Sequence, residues 1–125
     1  MKKLLLLALL IMVVSCDSDD DTLEPQNCTD IYIYGLKVTV KDNSNDLIVT
    51  DGLTLTATEG SYVEELMRIE NSDFFVGAGE RKGTYTIEIA SNEYQSYISD
   101  AVEVKRTEDD CHVITEELEF YLESN

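Results

Sequence analysis

The feature that most constrains this chain is a period-two alternation of apolar and polar residues that recurs from residue 34 onward. A repeat of two is the mark of a strand with one buried face, because successive side chains leave a pleated backbone on opposite sides. In residues 34–42, Leu36, Val38 and Val40 share one face, and Lys37, Thr39 and Lys41 share the other. Residues 52–58 repeat this with Leu53, Leu55 and Ala57 against three threonines, and residues 83–90 with Tyr85, Ile87 and Ile89 against Thr84, Thr86 and Glu88. Residues 62–69, 74–76 and 101–105 give shorter, less regular runs, and residues 113–122 alternate as Ile114, Glu116, Leu118, Phe120 and Leu122 with one acidic exception. Turn formers separate the runs: Asp42-Asn43-Ser44-Asn45-Asp46, Asp51-Gly52, Glu59-Gly60-Ser61, Gly77-Ala78-Gly79, Ser91-Asn92 and Glu108-Asp109-Asp110. Turns every eight to twelve residues or so, without a sustained helical period, predict an all-β antiparallel sandwich of seven or so strands. Residues 63–67 are the one place for a helical turn and are read as strand.

The first 16 residues have a different logic. Two lysines precede an unbroken apolar run over residues 4–14, which ends at Ser15 and Cys16. As a helix that run spans about 16 Å, too short to cross a hydrocarbon core of about 30 Å and stay there. Val13-Val14-Ser15-Cys16 resembles the lipobox cleaved by lipoprotein signal peptidase, which makes Cys16 the expected lipidated first residue of a mature chain. Acyl chains then hold the protein to the membrane, at about 0.8 kcal/mol per buried methylene. The expected organisation is a signal peptide over 1–15, a lipidated acidic linker over 16–30, and one folded domain over 31–123.

Charge narrows the partners. The formal charge of -17 becomes -19 when Lys2 and Lys3 leave with the signal, because all 26 acidic residues lie after Cys16. Such a surface repels phosphate backbones within the screening length, about 8 Å at physiological salt, so nucleic acid is not an expected partner. The linker DSDDDTLEPQ, residues 17–26, holds almost nothing to bury and reads as an extended, self-repelling tether. Its acids resemble the export signal that sends lipoproteins of the Bacteroidetes to the outer face of the outer membrane. The enterobacterial rule instead reads an aspartate after the cysteine as retention at the inner membrane. The length of the acidic run favours the outer membrane with surface exposure. Asp21-Thr22-Leu23 also matches a short O-glycosylation motif of those bacteria.

With Cys16 lipidated, Cys28 and Cys111 remain as a pair in an exported, oxidising compartment. A disulfide between them would close an 84-residue loop, worth at most about 4 to 5 kcal/mol in the chain-entropy model. A buried pair of free thiols and half of a zinc site are the competing readings. Zinc wants four ligands, and the chain offers these two cysteines and one histidine.

Several motifs fall in a recognisable order: Val38-Thr39-Val40-Lys41-Asp42 on the opening strand, Gly79-Glu80-Arg81-Lys82-Gly83-Thr84-Tyr85 entering a strand, Glu93-Tyr94-Gln95, and Cys111-His112-Val113-Ile114-Thr115 before the last strand. Over residues 34–122 this order resembles the carboxypeptidase regulatory-like domains of bacterial lipoproteins, a branch of the transthyretin-like (prealbumin-like) β-sandwiches. The resemblance implies a non-catalytic module used for structural support or for recognition of a macromolecule, and supplies no ligand.

The chemistry-bearing residues agree with a protein that is not an enzyme and carries no cofactor. Transthyretin-like hydrolases of the purine pathway need several histidines, an arginine and a terminal Tyr-Arg-Gly-Ser, whereas this chain has only His112 and ends Tyr121-Leu122-Glu123-Ser124-Asn125. His112 is expected to be a hydrogen-bonded structural residue; a pocket joining it to a carboxylate and a Ser or Thr hydroxyl would instead mark a hydrolase. Residues 42–46 alternate oxygen ligands like a calcium loop but lack the glycine and glutamate of an EF-hand, which leaves at most a weak adventitious site. Glu80 and Arg81, beside Lys82 in a loop, are the candidate ligand-binding residues, for an anionic glycan or a peptide carboxylate; the plainer expectation pairs Arg81 with a nearby acid. Seven tyrosines could form a sugar-stacking platform, but alternation buries Tyr85. The expected function is therefore a structural or adhesive module of the cell envelope, attached to the membrane through lipid, with an envelope protein or glycan as partner. The alternative is a carbohydrate- or calcium-binding accessory lipoprotein of an uptake or secretion system.

Overall fold

A computed structural model describes residues 28–125. The expected signal peptide, the expected lipidation of Cys16 and the expected acidic tether up to residue 27 lie outside the described residues. Nine strands and no helix make up the described part: β1 (Tyr34–Asp42), β2 (Leu53–Glu59), β3 (Tyr62–Glu65), β4 (Met67–Arg68), β5 (Phe75–Gly79), β6 (Gly83–Ser91), β7 (Tyr97–Ile98), β8 (Val102–Val104) and β9 (Glu116–Leu122). They form two sheets, one ordered β4-β5-β1-β9 and the other β3-β2-β6-β7, with β8 also on β6. The chain is thus an all-β sandwich.

Alternation decides which side chains meet between the sheets. Leu36, Val38 and Val40 of β1, Leu55 and Ala57 of β2, and Tyr85, Ile87 and Ile89 of β6 are all buried, as their spacing predicts. Each large apolar side chain taken out of water contributes about 1.5–3 kcal/mol, and this shared face is the main source of cohesion. Three expectations are corrected. The sandwich is not wholly antiparallel, since β9 runs parallel to β1 in a register from Leu36↔Glu116 to Asp42↔Leu122. These two strands are far apart in the chain, so no tight turn forces them to run in opposite directions. Gly77-Ala78-Gly79 is not a turn but the second half of β5. In the last segment, Val113 is buried and Ile114 is 46% exposed, because the Ile114 amide donates to Lys105 O before β9 begins.

β3 and β4 are one continuous stretch that changes sheets. Leu66, between them, is buried, and its amide donates to Leu55 O of β2 at 2.8 Å; Met67 and Arg68 then pair with β5 in the other sheet. A strand that crosses in this way closes one side of the sandwich. Glycine at residue 77 leaves room for β5 to pass beneath, since a Cβ there would run into the Leu66 side chain.

The expected disulfide is present. Cys28 lies ahead of β1 and Cys111 ahead of β9, with their Cα atoms 5.2 Å apart and their sulfurs bonded. The bridge clasps the two ends of the domain.

Candidate functional site

One end of the sandwich gathers most of the polar chemistry. There β1, β6 and β9 begin, β2, β5 and β8 finish, and the turn over residues 80–82 joins β5 to β6. Both candidate ligand-binding residues, Glu80 and Arg81, sit in that turn.

Arg81 is held on three sides. Its Nη1 donates to Glu59 Oε1 and to the Tyr85 hydroxyl, each at 2.8 Å, and its guanidinium lies 3.6 Å from the centre of the Tyr62 ring. The Tyr85 hydroxyl in turn donates to Arg81 O at 2.9 Å. A buried tyrosine has to satisfy its hydroxyl, and the flat guanidinium both stacks and donates, which a lysine cannot do together. Hydrogen bonds to Tyr85 and Glu59 raise the Arg81 pKa above its ordinary value. The Thr84 amide, at 2.7 Å, together with Arg81 holds the Glu59 carboxyl below the usual glutamate range. Gly83 makes this approach possible, since a Cβ there would stand 2.6 Å from Glu59 Oε1. The arrangement matches the plainer sequence expectation, Arg81 paired to a nearby acid, although that acid is 22 residues away.

Glu80 takes a left-handed backbone conformation, φ 51°, unusual for a residue with a Cβ. Its carboxylate explains why that geometry is kept. Oε2 accepts from the Ile33 amide at 2.9 Å and lies 2.6 Å from His112 Nδ1, and Oε1 accepts from the Val113 amide at 3.3 Å. Burial pushes the Glu80 pKa up, but bonds from His112, Ile33 and Val113 outweigh it and the net shift is downward. One side chain therefore ties the approach to β1, the β5–β6 turn and the approach to β9.

His112 completes the tie. Its Nδ1 lies against Glu80 Oε2, and its Nε2 is hydrogen-bonded to the Thr29 hydroxyl at 3.0 Å. Thr29 follows Cys28, so this contact and the disulfide hold the same junction. Hydroxyl, imidazole and carboxylate stand in the order used by hydrolases, which sequence spacing did not reveal. None of the four clefts described on the surface is lined by Thr29, His112 or Glu80.

A cleft of about 550 Å3 opens beside this cluster. Lys82, Thr84, Glu103, Lys105 and Arg106 are among its lining residues. Arg106 is committed to Asp110 through Nε at 2.8 Å. At the opposite end of the sandwich, Asp42 Oδ1 accepts from Ser44 N and Oγ, and Oδ2 accepts from the Tyr94 hydroxyl. The side chain that would lead a calcium loop thus bonds its own turn and Tyr94, and among the described residues no three His, Cys, Asp or Glu gather as a metal site.

The tyrosines do not form one platform. Tyr85 is buried, Tyr62 lies under Arg81, and Tyr97 packs against Phe120 at 5.1 Å. No family model matches the chain, and no curated protein sequence matches it.

Proposed function

We propose that the protein is a non-catalytic lipoprotein of the cell envelope, a carboxypeptidase regulatory-like sandwich on an acidic tether that serves as a structural or adhesive recognition module. The observation that carries this reading is the use made of the polar end. Glu80, Arg81 and His112, the side chains most suited to chemistry, bond to Ile33, Val113, Glu59, Tyr85 and Thr29 and so build the framework itself. A body clasped by Cys28–Cys111 and tied again at Thr29 suits a rigid head held away from a membrane. The anchor belongs to the same proposal: lipid on Cys16, outer-membrane residence and surface display follow from the lipobox-like sequence and the acids behind it.

Fractionation of cells making the wild type and Cys16→Ser tests the anchor. The wild type is expected in the membrane fraction with incorporated fatty acid, and the variant in the soluble fraction; equal partition of the two overturns the anchor. Cells displaying the wild type are expected to retain more envelope glycan or partner cells than cells lacking it, and equal retention overturns the adhesive role.

A hydrolase is the second reading, favoured only by the Thr29–His112–Glu80 alignment. Turnover of p-nitrophenyl acetate by the purified chain, abolished by His112→Ala and by Thr29→Val, would establish it in place of the first. Rates equal to buffer support the non-catalytic module.

A further inference from the structure

We propose that the cleft beside β8 binds a carboxylated glycan through Lys82 and Lys105; this rests on the recognition reading above and names its ligand class. The observation is a like-charge juxtaposition that folding creates. β6 and β8 pair antiparallel with Gly83↔Val104 and Thr84↔Glu103. Beyond the end of that register, Lys82 and Lys105 both line the cleft, with Arg106 beside them. Two basic dipeptides 23 positions apart in the chain therefore meet at one strand end, and Arg106 Nη1 reaches Glu80 O at 3.4 Å across the gap.

The two arginines are neutralised and the two lysines are not. Arg81 pairs with Glu59 and Arg106 with Asp110, whereas neither Lys82 nor Lys105 has an acid within 4.0 Å among the described residues. Unpaired lysines are notable in a chain with 26 acids and a formal charge of -17. Like charges brought to one cleft repel, so the fold gains nothing from the pair. An anion bound by both ammonium groups would relieve that repulsion.

The remaining lining defines what kind of anion: it includes Glu59 and Asp110, which are paired with Arg81 and Arg106, and Thr84 and Glu103. Thr84 and Glu103 flank the lysines on the same outer face, and Thr86 and Thr58 continue it as directly opposed hydroxyl residues. Glu103 repels a dense polyanion but accepts hydrogen bonds from sugar hydroxyls. The acidic body beyond the cleft acts against polyphosphate in the same way. A polysaccharide with sparse carboxylates among many hydroxyls satisfies each group: carboxylate to Lys82 and Lys105, hydroxyls to Glu103 and the threonines.

The test is calorimetric titration of the full mature chain in detergent with hyaluronan oligosaccharides, which carry one carboxylate per disaccharide. Dextran, polyphosphate and an acidic peptide serve as comparison probes. Hyaluronan is expected to bind more tightly than the other three, to weaken as salt rises, and to lose at least tenfold in affinity in Lys82→Gln/Lys105→Gln. Lys37→Gln, on the other sheet, is expected to leave it unchanged. Polyphosphate or the acidic peptide binding as tightly as hyaluronan overturns the glycan assignment. Hyaluronan binding that survives the double substitution overturns this site but leaves the recognition reading standing. Absence of hyaluronan binding by the wild type overturns the proposal, while the cell-retention experiment judges the broader reading separately.

Discussion

At the scale of single residues, the polar end depends on side chains whose geometry cannot be replaced by charge alone. Tyr85 buries its ring in the core and exchanges two hydrogen bonds with Arg81, one to the guanidinium and one to the carbonyl. Tyr85→Phe keeps the ring and removes both, which predicts a loss of about 1–2 kcal/mol in urea unfolding. Arg81→Lys keeps the charge but not the plane over Tyr62, and is expected to lower the urea midpoint as well. A midpoint unchanged by either substitution would show that the stack and its bonds contribute nothing to the fold. Little of this site was legible in the sequence. The turn containing Glu80 and Arg81 could be marked from its composition, but Tyr62, Glu59 and Thr29 lie 19, 22 and 52 residues before Arg81, brought close only by the fold. Glu80 in particular carries no local signal for its left-handed backbone, which is held by contacts from the approaches to β1 and β9.

Elements were legible in proportion to the regularity of their alternation. The buried faces of β1, β2 and β6 follow from spacing alone, because each has one wet and one dry side. β5 departs from this rule: Phe75, Val76, Gly77 and Ala78 are all buried, so no polar face marks it as a strand. Its glycines resemble turn residues yet serve close packing, Gly77 beneath Leu66 and Gly79 beneath Tyr32. β7 has two residues, too few for any pattern, and the parallel direction of β9 is not encoded in periodicity at all. The packing reading of Gly77 predicts coupling. Gly77→Ala should destabilise because its new methyl meets Leu66, and Leu66→Ala alone should cost about 2–5 kcal/mol as a cavity. In the double variant the two costs should add to less than their sum, because each relieves the other. Additive losses in a double-mutant cycle would remove close packing as the reason for glycine there. The disulfide acts at the same scale, joining the approaches to β1 and β9. Cys28→Ser/Cys111→Ser is expected to lose about 2–5 kcal/mol, a large part of the 5–15 kcal/mol typical of a domain. Hydrogen exchange should rise first around residues 29–33 and 107–114. Protection unchanged in those segments would mean that the Thr29–His112–Glu80 tie suffices alone.

For the whole molecule, the consequence of so many acids is that stability depends on which carboxylates are engaged. Asp42, Glu59, Glu80, Asp109 and Glu119 are all held below their ordinary values. The leading cause at Asp42 is the Ser44 hydroxyl, at Glu59 the Thr84 amide, at Asp109 the Thr107 hydroxyl and at Glu119 the Lys41 ammonium. At Glu80 burial works the other way, and the bond from His112 leads the contacts that overcome it. Four of these groups join distant segments: Asp42 to Tyr94, Glu59 to Thr84, Glu80 to His112 and Glu119 to Lys41. When a folded-state pKa lies below the unfolded one, the unfolded chain binds more protons in the interval between them, so stability rises with pH through that interval. The contribution is complete above the ordinary values, 3.8 for aspartate and 4.5 for glutamate, and is lost as pH falls through the lower folded ones. Relief of general repulsion among exposed acids opposes this on acidification, but at 0.15 M salt it is screened beyond about 8 Å while a hydrogen bond is not. The urea midpoint at that salt is therefore expected to hold from pH 7 to 5 and to fall steadily from pH 4.5 to 3. Glu59→Gln/Glu80→Gln should begin lower at pH 7 and fall less over the acid range, because two of the titrating ties are gone. A wild-type midpoint that rises on acidification, or a variant whose curve runs parallel to it, would place the stability of this acidic sandwich in its apolar core and disulfide instead of in its engaged carboxylates.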